Sequence, residues 1–265
     1  MLKITHLEKP EFELRWYQAE AVDAFFSEIK NGVKSTLISA PTGSGKSLMM
    51  AEITRRCVNA DKQVLVCTHR KELILQDEET LKKLDKKIST GVISASCKRK
   101  EFDAQSLYAG IMTVIRNLDK LPKIDVLLVD ECHHISPNEN TSYQKLVNNL
   151  KENNPELIVG GFSATPYRIG QGLLTEGDDR LFDSICYEVD IEKLTSQKYL
   201  CDMIARGSDK VIDTKKLHTK MGDFDKEELA IAADNEALTE HVVNEVCELA
   251  KDRKSWIIFT TSRAH

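Results

Sequence analysis

Nine residues, Ser39-Ala40-Pro41-Thr42-Gly43-Ser44-Gly45-Lys46-Ser47, constrain this chain more than any other stretch: a short apolar run leads into them and a segment of helical period leads out. A Gly-rich turn between a strand and a helix is a unit of α/β architecture. Glycines at 43 and 45 permit backbone angles closed to other residues, so successive amide N–H groups can turn inward on an anion. The N-terminus of the following helix adds positive potential. With Thr42, Gly43, Ser44 and Gly45 wrapped around a triphosphate, Lys46 would reach the β- and γ-phosphates and the Ser47 hydroxyl would ligate Mg²⁺. A glycine-rich turn carrying a solvated lysine shows the same short pattern, so the rest of the chain has to decide between them.

The wider pattern alternates short apolar runs with segments of helical period, which is how helices crossing over a parallel sheet read. The expected strands are Thr36 to Ala40, Gln63 to Thr68, Thr90 to Ile93, Tyr108 to Thr113, Ile124 to Val129 and Glu156 to Phe162. Helices are expected where Val22, Phe25, Phe26 and Ile29 share a face ahead of Asn31-Gly32, and at Leu48 to Asn59, Lys71 to Leu84, Val114 to Leu121 and Thr141 to Asn153. The run Val126 to Val129 ends in Asp130-Glu131-Cys132-His133, so two carboxylates stand at the C-terminal tip of a buried strand, the edge where α/β sheets bind ligands. Asp130 would hold the metal through its water shell and Glu131 would orient and deprotonate an attacking water. A solvated acidic strand end is the plain alternative for this pair on its own. His133 and His134 invite a metal reading, but no third ligand lies at a suitable spacing.

Bulk electrostatics do not announce a nucleic-acid binder, since 37 basic and 42 acidic residues leave a formal net charge of −5. Any such face must be local. The basic residues Lys82, Lys83, Lys86, Lys87 and Lys98-Arg99-Lys100 could form one, although solvated helix and loop faces account for them more simply. Seven cysteines, with no Cys-x-x-Cys pair, argue against a zinc module and fit free, small core residues. With no leader-like or membrane-spanning apolar run, they suggest a reducing cytoplasm.

Taken together, APTGSGKS and DECH resemble motifs I and II of the superfamily 2 DNA and RNA helicases and translocases, and further matches follow in the family's order. Leu14-Arg15-Trp16-Tyr17-Gln18 looks like the adenine-reading motif, which implies that Gln18 contacts the adenine edge with Arg15 or Tyr17 close by. Thr68-His69-Arg70-Lys71-Glu72-Leu73, followed by Gln76, is similar to the motif that grips the sugar-phosphate backbone, with Arg70 and Lys71 as candidates. Thr113, within Ile111 to Val114, occupies the place of the next such motif, where an ordinary β-to-α turn would look alike. Ser163-Ala164-Thr165-Pro166-Tyr167-Arg168 looks like motif III, which implies that Ser163 and Thr165 reach toward His133 and link nucleotide state to strand grip. The run as a whole most closely resembles RadD-like bacterial repair helicases and their phage relatives, and type III restriction subunits share much of the pattern.

The resemblance implies a RecA-like P-loop NTPase domain, a parallel sheet flanked by helices, over residues 1–200. A polar linker follows at residues 201–235, Lys-rich from Ser208 to Phe224 apart from a helix at Lys226 to Ala233. Residues 236–265 are expected to begin a second RecA-like domain, with a helix at Glu236 to Lys251 and Trp256 to Phe259 as its first strand. ATP and Mg²⁺ would bind between two such domains. The second domain's arginine finger is not found, so the expectation is a fragment, weak or inactive alone, that needs the other half in cis or in trans. Its partner would be single- or double-stranded nucleic acid, with DNA favoured. The competing function is a module that binds nucleic acid or a partner protein and uses ATP only as a conformational ligand. A phosphotransferase would need an acceptor pocket and a lid, for which the sequence offers no candidates.

Overall fold

The computed structural model describes residues 13–135, 142–168, 172–177, 180–204, 212–215, 217–220 and 223–260. Two compact units are present, Met1–Cys201 and Asp202–His265.

Helix α1 (Trp16–Lys30) stops at Asn31, and Gly32 beyond it takes a positive φ. The chain then alternates through β1 (Ser35–Ser39), α2 (Lys46–Val58), β2 (Val64–Thr68), α3 (Lys71–Leu84), β3 (Thr90–Ser94), the two-residue β4 (Arg99–Lys100), β5 (Ser106–Gly110) and α4 (Ile111–Ile115). Then follow β6 (Val126–Val129), α5 (Ser142–Asn153), β7 (Ile158–Ser163), the small hairpin β8 (Tyr167–Arg168) and β9 (Gly172–Leu173), β10 (Ser184–Glu188) and α6 (Ile191–Ser196). The central sheet runs β10-β1-β7-β6-β2-β5-β3-β4, parallel throughout except for β4 at its edge.

Both faces of this sheet are covered, and the period-2 alternation of each strand divides its apolar residues between two cores. Ile38, Val64, Val66, Val126 and Leu128 face α1, α2 and α3, where Phe25, Met49, Ile53 and Leu81 meet them. Leu37, Leu65, Cys67, Leu127 and Val129 face α4 and α5, where Val114, Leu146 and Leu150 complete the second layer. The middle of β7 must be Gly-Gly: a Cβ on Gly161 would stand 2.4 Å from Phe182, and one on Gly160 2.8 Å from both Leu128 and Phe25.

Three expectations are corrected. The Tyr108 to Thr113 strand starts two residues earlier and ends three earlier, as β5, because Gly110 pairs with Thr68 at the sheet margin and the next residues close their hydrogen bonds as α4 instead. The helix expected over Val114 to Leu121 is split between α4 and a single 3-10 turn at Leu118–Lys120. Of the seven cysteines, Cys57, Cys67 and Cys132 are buried, but Cys97 and Cys186 are half-buried and Cys201 and Cys247 exposed, so the thiols are not uniformly core residues.

The second unit contains a two-residue antiparallel pair, β11 (Thr219–Lys220) with β12 (Asp223–Phe224), inside the stretch expected to be linker. Helices α7 (Lys226–Ala233) and α8 (Glu236–Leu249) follow. The Asp225 side chain caps α7 and that of Asn235 caps α8, each accepting from backbone N–H groups of the first turn. Trp256 to Phe259 is not a strand: among the described residues nothing pairs with it, and Ile257, Ile258 and Phe259 are 82, 68 and 92% exposed. A strand forms through its neighbours, and this run lacks one.

Candidate functional site

The parallel sheet brings the C-terminal ends of β1, β2, β6 and β7 to one margin, and the charged motifs follow these ends. After β1 the chain turns through residues 40–45, with Gly43 and Gly45 both at φ +84°, and enters α2 at Lys46. A side chain at 45 would also collide with Gln18, whose Nε2 lies 2.5 Å from the Cβ position. The Lys46 ammonium curls back to 3.3 Å from the Ala40 carbonyl and stands 3.7 Å from Glu131 Oε1. One lysine is thereby shared by the loop after β1 and the carboxylates after β6.

Glu131 is held in the left-handed region at φ 48° and ψ 47°, where residues with a Cβ are uncommon, at a cost of about 1–3 kcal/mol. Asp130 before it is 4% exposed, and its Oδ1 is buried with no hydrogen-bond partner. Burial, with Glu131 adjoining it, pushes its carboxyl up to about 6 against the pull of Lys46. A desolvated carboxyl with one unsatisfied oxygen, at the sheet margin where α2 begins, fits a divalent cation. Asp130 and Ser47 are the residues that would hold Mg²⁺, and the ion would supply charge neutralisation for phosphate oxygens.

The loop is tied to α1. Tyr17 Oη donates to the Ser44 carbonyl at 2.9 Å and Gln18 Nε2 donates to the same oxygen at 2.8 Å. Gln18 Oε1 accepts from the Arg15 backbone at 2.9 Å, and Arg15 Nη1 donates to Tyr17 Oη at 3.1 Å. The Arg15 guanidinium lies over the Tyr199 ring, 5.0 Å from its centroid, and Tyr199 meets Tyr17 edge to face. Tyr199 escaped sequence reasoning because it stands 182 positions along the chain from Tyr17. Thr42 and Gly43 are exposed on the loop, while the Ser44 side chain is buried.

His133 Nδ1 and Ser163 Oγ are 2.9 Å apart, and the Ser163 carbonyl accepts from the Ala40 backbone at 2.9 Å. Ser163 therefore touches both the start of the phosphate loop and the segment after β6. Thr165 meets Ser163 through its backbone, the N–H donating to Ser163 Oγ at 3.0 Å and the carbonyl accepting from it at 2.8 Å. No hydrogen bond from the Thr165 side chain to His133 is found among the described residues. Burial, with His134 close by, lowers the His133 pKa.

Arg70 and Lys71 are exposed where β2 gives way to α3. Gln76, grouped in sequence with that backbone-gripping motif, instead faces Ser47, its Nε2 at 3.4 Å from Oγ. Thr113 lies on α4, and its Oγ1 accepts from the Ala95 backbone at 3.1 Å. Part of the basic track is neutralised: Arg99 is paired with Glu78 and Glu101, Lys82 with Glu78 and Lys83 with Glu79. Asp77, next to Gln76, is buried near Asp130, and nothing in its sequence context of Gln-Asp-Glu-Glu distinguished it from a solvated helix face.

The Putative ATP-dependent helicase IRC3 of Saccharomyces cerevisiae is 27% identical over 95% of this chain and 37% of its own length. The Putative helicase 22 of Sulfolobus islandicus filamentous virus is 30% identical over 75% of this chain and 36% of its own. The chain thus spans little more than a third of these relatives. Among solved structures, the UvsW helicase from bacteriophage T4 superposes with a TM-score of 0.52 at 20% identity, covering 66% of this chain and 60% of that one, which shows the α/β fold. Residues 11–168 match the family described as Type III restriction enzyme, res subunit. With that match running from α1 through the phosphate loop and both carboxylates to the end of β8, the chain belongs to the type III restriction enzyme res-subunit family.

Proposed function

We propose that this chain is the nucleotide-binding half of an ATP-dependent nucleic-acid helicase or translocase, acting on DNA. The observation that carries this reading is the meeting of Lys46 with Glu131 at 3.7 Å beside the buried Asp130, whose Oδ1 has no hydrogen-bond partner. Lys46 and the amides of residues 43–47 hold the phosphates, Ser47 and Asp130 hold Mg²⁺, and Glu131 takes the proton of the attacking water. Arg15 and Gln18 read the adenine, and Ser163 passes the state of the site between the loop after β1 and His133. Arg70 and Lys71, exposed at the same margin, contact backbone phosphates, which gives binding with little base specificity. The phrases DECHHIS and SATPYR favour a RadD-like role in DNA repair. An arginine from a second RecA-like half, in cis or in trans, completes the transition-state charge stabilisation, so this half alone turns over slowly.

Glu131→Gln tests the assignment. ATP affinity is expected to stay within a few-fold of the parent while steady-state turnover, with and without single-stranded DNA, drops by about 10²-fold or more. If the substitution leaves turnover unchanged, Glu131 is not the base and the chain is instead a binding module for which ATP is a conformational ligand. A turnover of many per second by a proven monomer would contradict the need for the second half.

A further inference from the structure

Ser47 has a buried acidic neighbour that no role assigned above uses. Asp77 sits on α3 directly after Gln76 and is 2% exposed. Both of its carboxyl oxygens are buried, and no protein group meets either in full hydrogen-bonding geometry. Burial, with Asp130 close by, pushes its carboxyl up to about 7, while the Ser47 hydroxyl alongside pulls the other way. The adjacent Glu78 shows what a satisfied acid on this helix looks like, since Arg99, Lys82 and Thr90 all donate to it. Among the described residues no lysine or arginine forms an ion pair with Asp77.

An acid kept out of water without a counter-charge is held toward its neutral form, and a bound cation is what would favour its carboxylate. A cation is the ligand this group of acids favours, because Asp77, Asp130 and Glu131 lie together and Lys46, beside Glu131, is the one lysine or arginine that meets them among the described residues. It must also lie on the Ser47 side, the direction in which the Asp77 carboxyl finds a polar neighbour. Gln76 Nε2 at 3.4 Å occupies another direction around the same hydroxyl. With one neighbour donating to Ser47 Oγ and another able to accept from it, the rotation of that hydroxyl is open to control.

We propose that Asp77 is a positioning residue of the divalent-cation site: its carboxylate accepts the Ser47 O–H, turns the oxygen lone pairs toward Mg²⁺, and adds a negative charge that the ion neutralises. The inference rests on the reading that Ser47 and Asp130 hold Mg²⁺ with ATP. Outer neighbours of this kind orient a ligand and raise its donor strength, and their loss typically weakens metal affinity by about 10- to 100-fold. Asp77 touches neither phosphate nor metal in this scheme, so its effect is on Mg²⁺ dependence.

The test is the affinity of the full chain for a fluorescent ADP analogue, measured with EDTA and across a Mg²⁺ titration, for the parent, Asp77→Asn, Ser47→Ala and the double variant. Thermal melting establishes that each is folded. In Asp77→Asn the metal-free nucleotide is expected to bind as tightly as to the parent or more so, while the enhancement by Mg²⁺ shrinks by about tenfold. In the Ser47→Ala background the same substitution is expected to change little, because the two act as one unit. If Asn destabilises the fold, Asp77→Ser carries the same comparison. A folded variant with the parent's full Mg²⁺ enhancement would falsify the role of Asp77 and leave the site itself standing. A parent chain whose nucleotide binding ignores Mg²⁺ overturns the metal reading and the proposal together.

Discussion

Tyr17 does two jobs with one oxygen, donating to the Ser44 carbonyl and accepting from Arg15 Nη1. It is fully buried against the phosphate loop, so removing the hydroxyl alone keeps the packing, leaves Gln18 as the remaining side-chain donor to the Ser44 carbonyl and takes an acceptor from Arg15. Tyr17→Phe is therefore expected to lower stability by about 0.5–1.5 kcal/mol in urea unfolding, and to weaken ATP binding several-fold through a looser loop. An unchanged ATP affinity would show that Gln18 is a sufficient tether. At this scale the sequence was legible wherever chemistry requires a particular residue type at a particular spacing. Lys46, Ser47, Asp130 and Glu131 could be named because a glycine turn and an apolar run ending in acids point to a single edge of a sheet. Asp77 and Tyr199 could not, since a mid-helix aspartate and a tyrosine after a short helix acquire meaning only from what the fold brings against them.

Helix α3 is fastened to the sheet edge by charge. Glu78 receives two hydrogen bonds from the Arg99 guanidinium, at 2.8 and 3.0 Å, one from Lys82 at 2.7 Å and one from Thr90 at 2.9 Å. Burial works against its ionisation, but these donors outweigh it and hold the carboxyl down at about 2 against an ordinary 4.5. The folded-state pKa is depressed, so this contribution to stability is complete above about pH 4.5 and is lost as pH falls toward 2. Glu78→Gln is expected to cost about 1–3 kcal/mol at neutral pH and to flatten the acid limb, as urea midpoints at pH 7, 5 and 3 can read. An acid limb as steep in the variant as in the parent excludes Glu78 as its source. The same pairing explains why the lysine and arginine run was hard to read: basic residues at 82, 83 and 99 look like a track in one dimension and prove to be partners of acids on α3 and beside β4. Strands of the parallel sheet were legible as continuous apolar runs because both faces are covered. The misplacement at Ile111-Met112-Thr113 arose because a strand ends where its neighbour does, and the end of β2 is not written in β5.

Across the first unit, the loop after β1, the segment after β6, the end of β7, the start of α1 and the start of α3 all contribute to one margin, although they are drawn from residues 15 to 165. The second unit offers no comparable convergence among its described residues, and its apolar Ile257, Ile258 and Phe259 face solvent. A triphosphate bound at that margin would behave like a rivet through separate plies, and pulling any ply away would first require the rivet to leave. Saturation with Mg·ADP at a hundred times its dissociation constant adds about 2.7 kcal/mol to the unfolding free energy of everything so joined. Amide exchange should then slow together in α1, β1, β6 and β7, some of them far from any phosphate, while α7 and α8 exchange at their former rates. Protection confined to the turn at residues 40–47 would mean that the plies are merely adjacent.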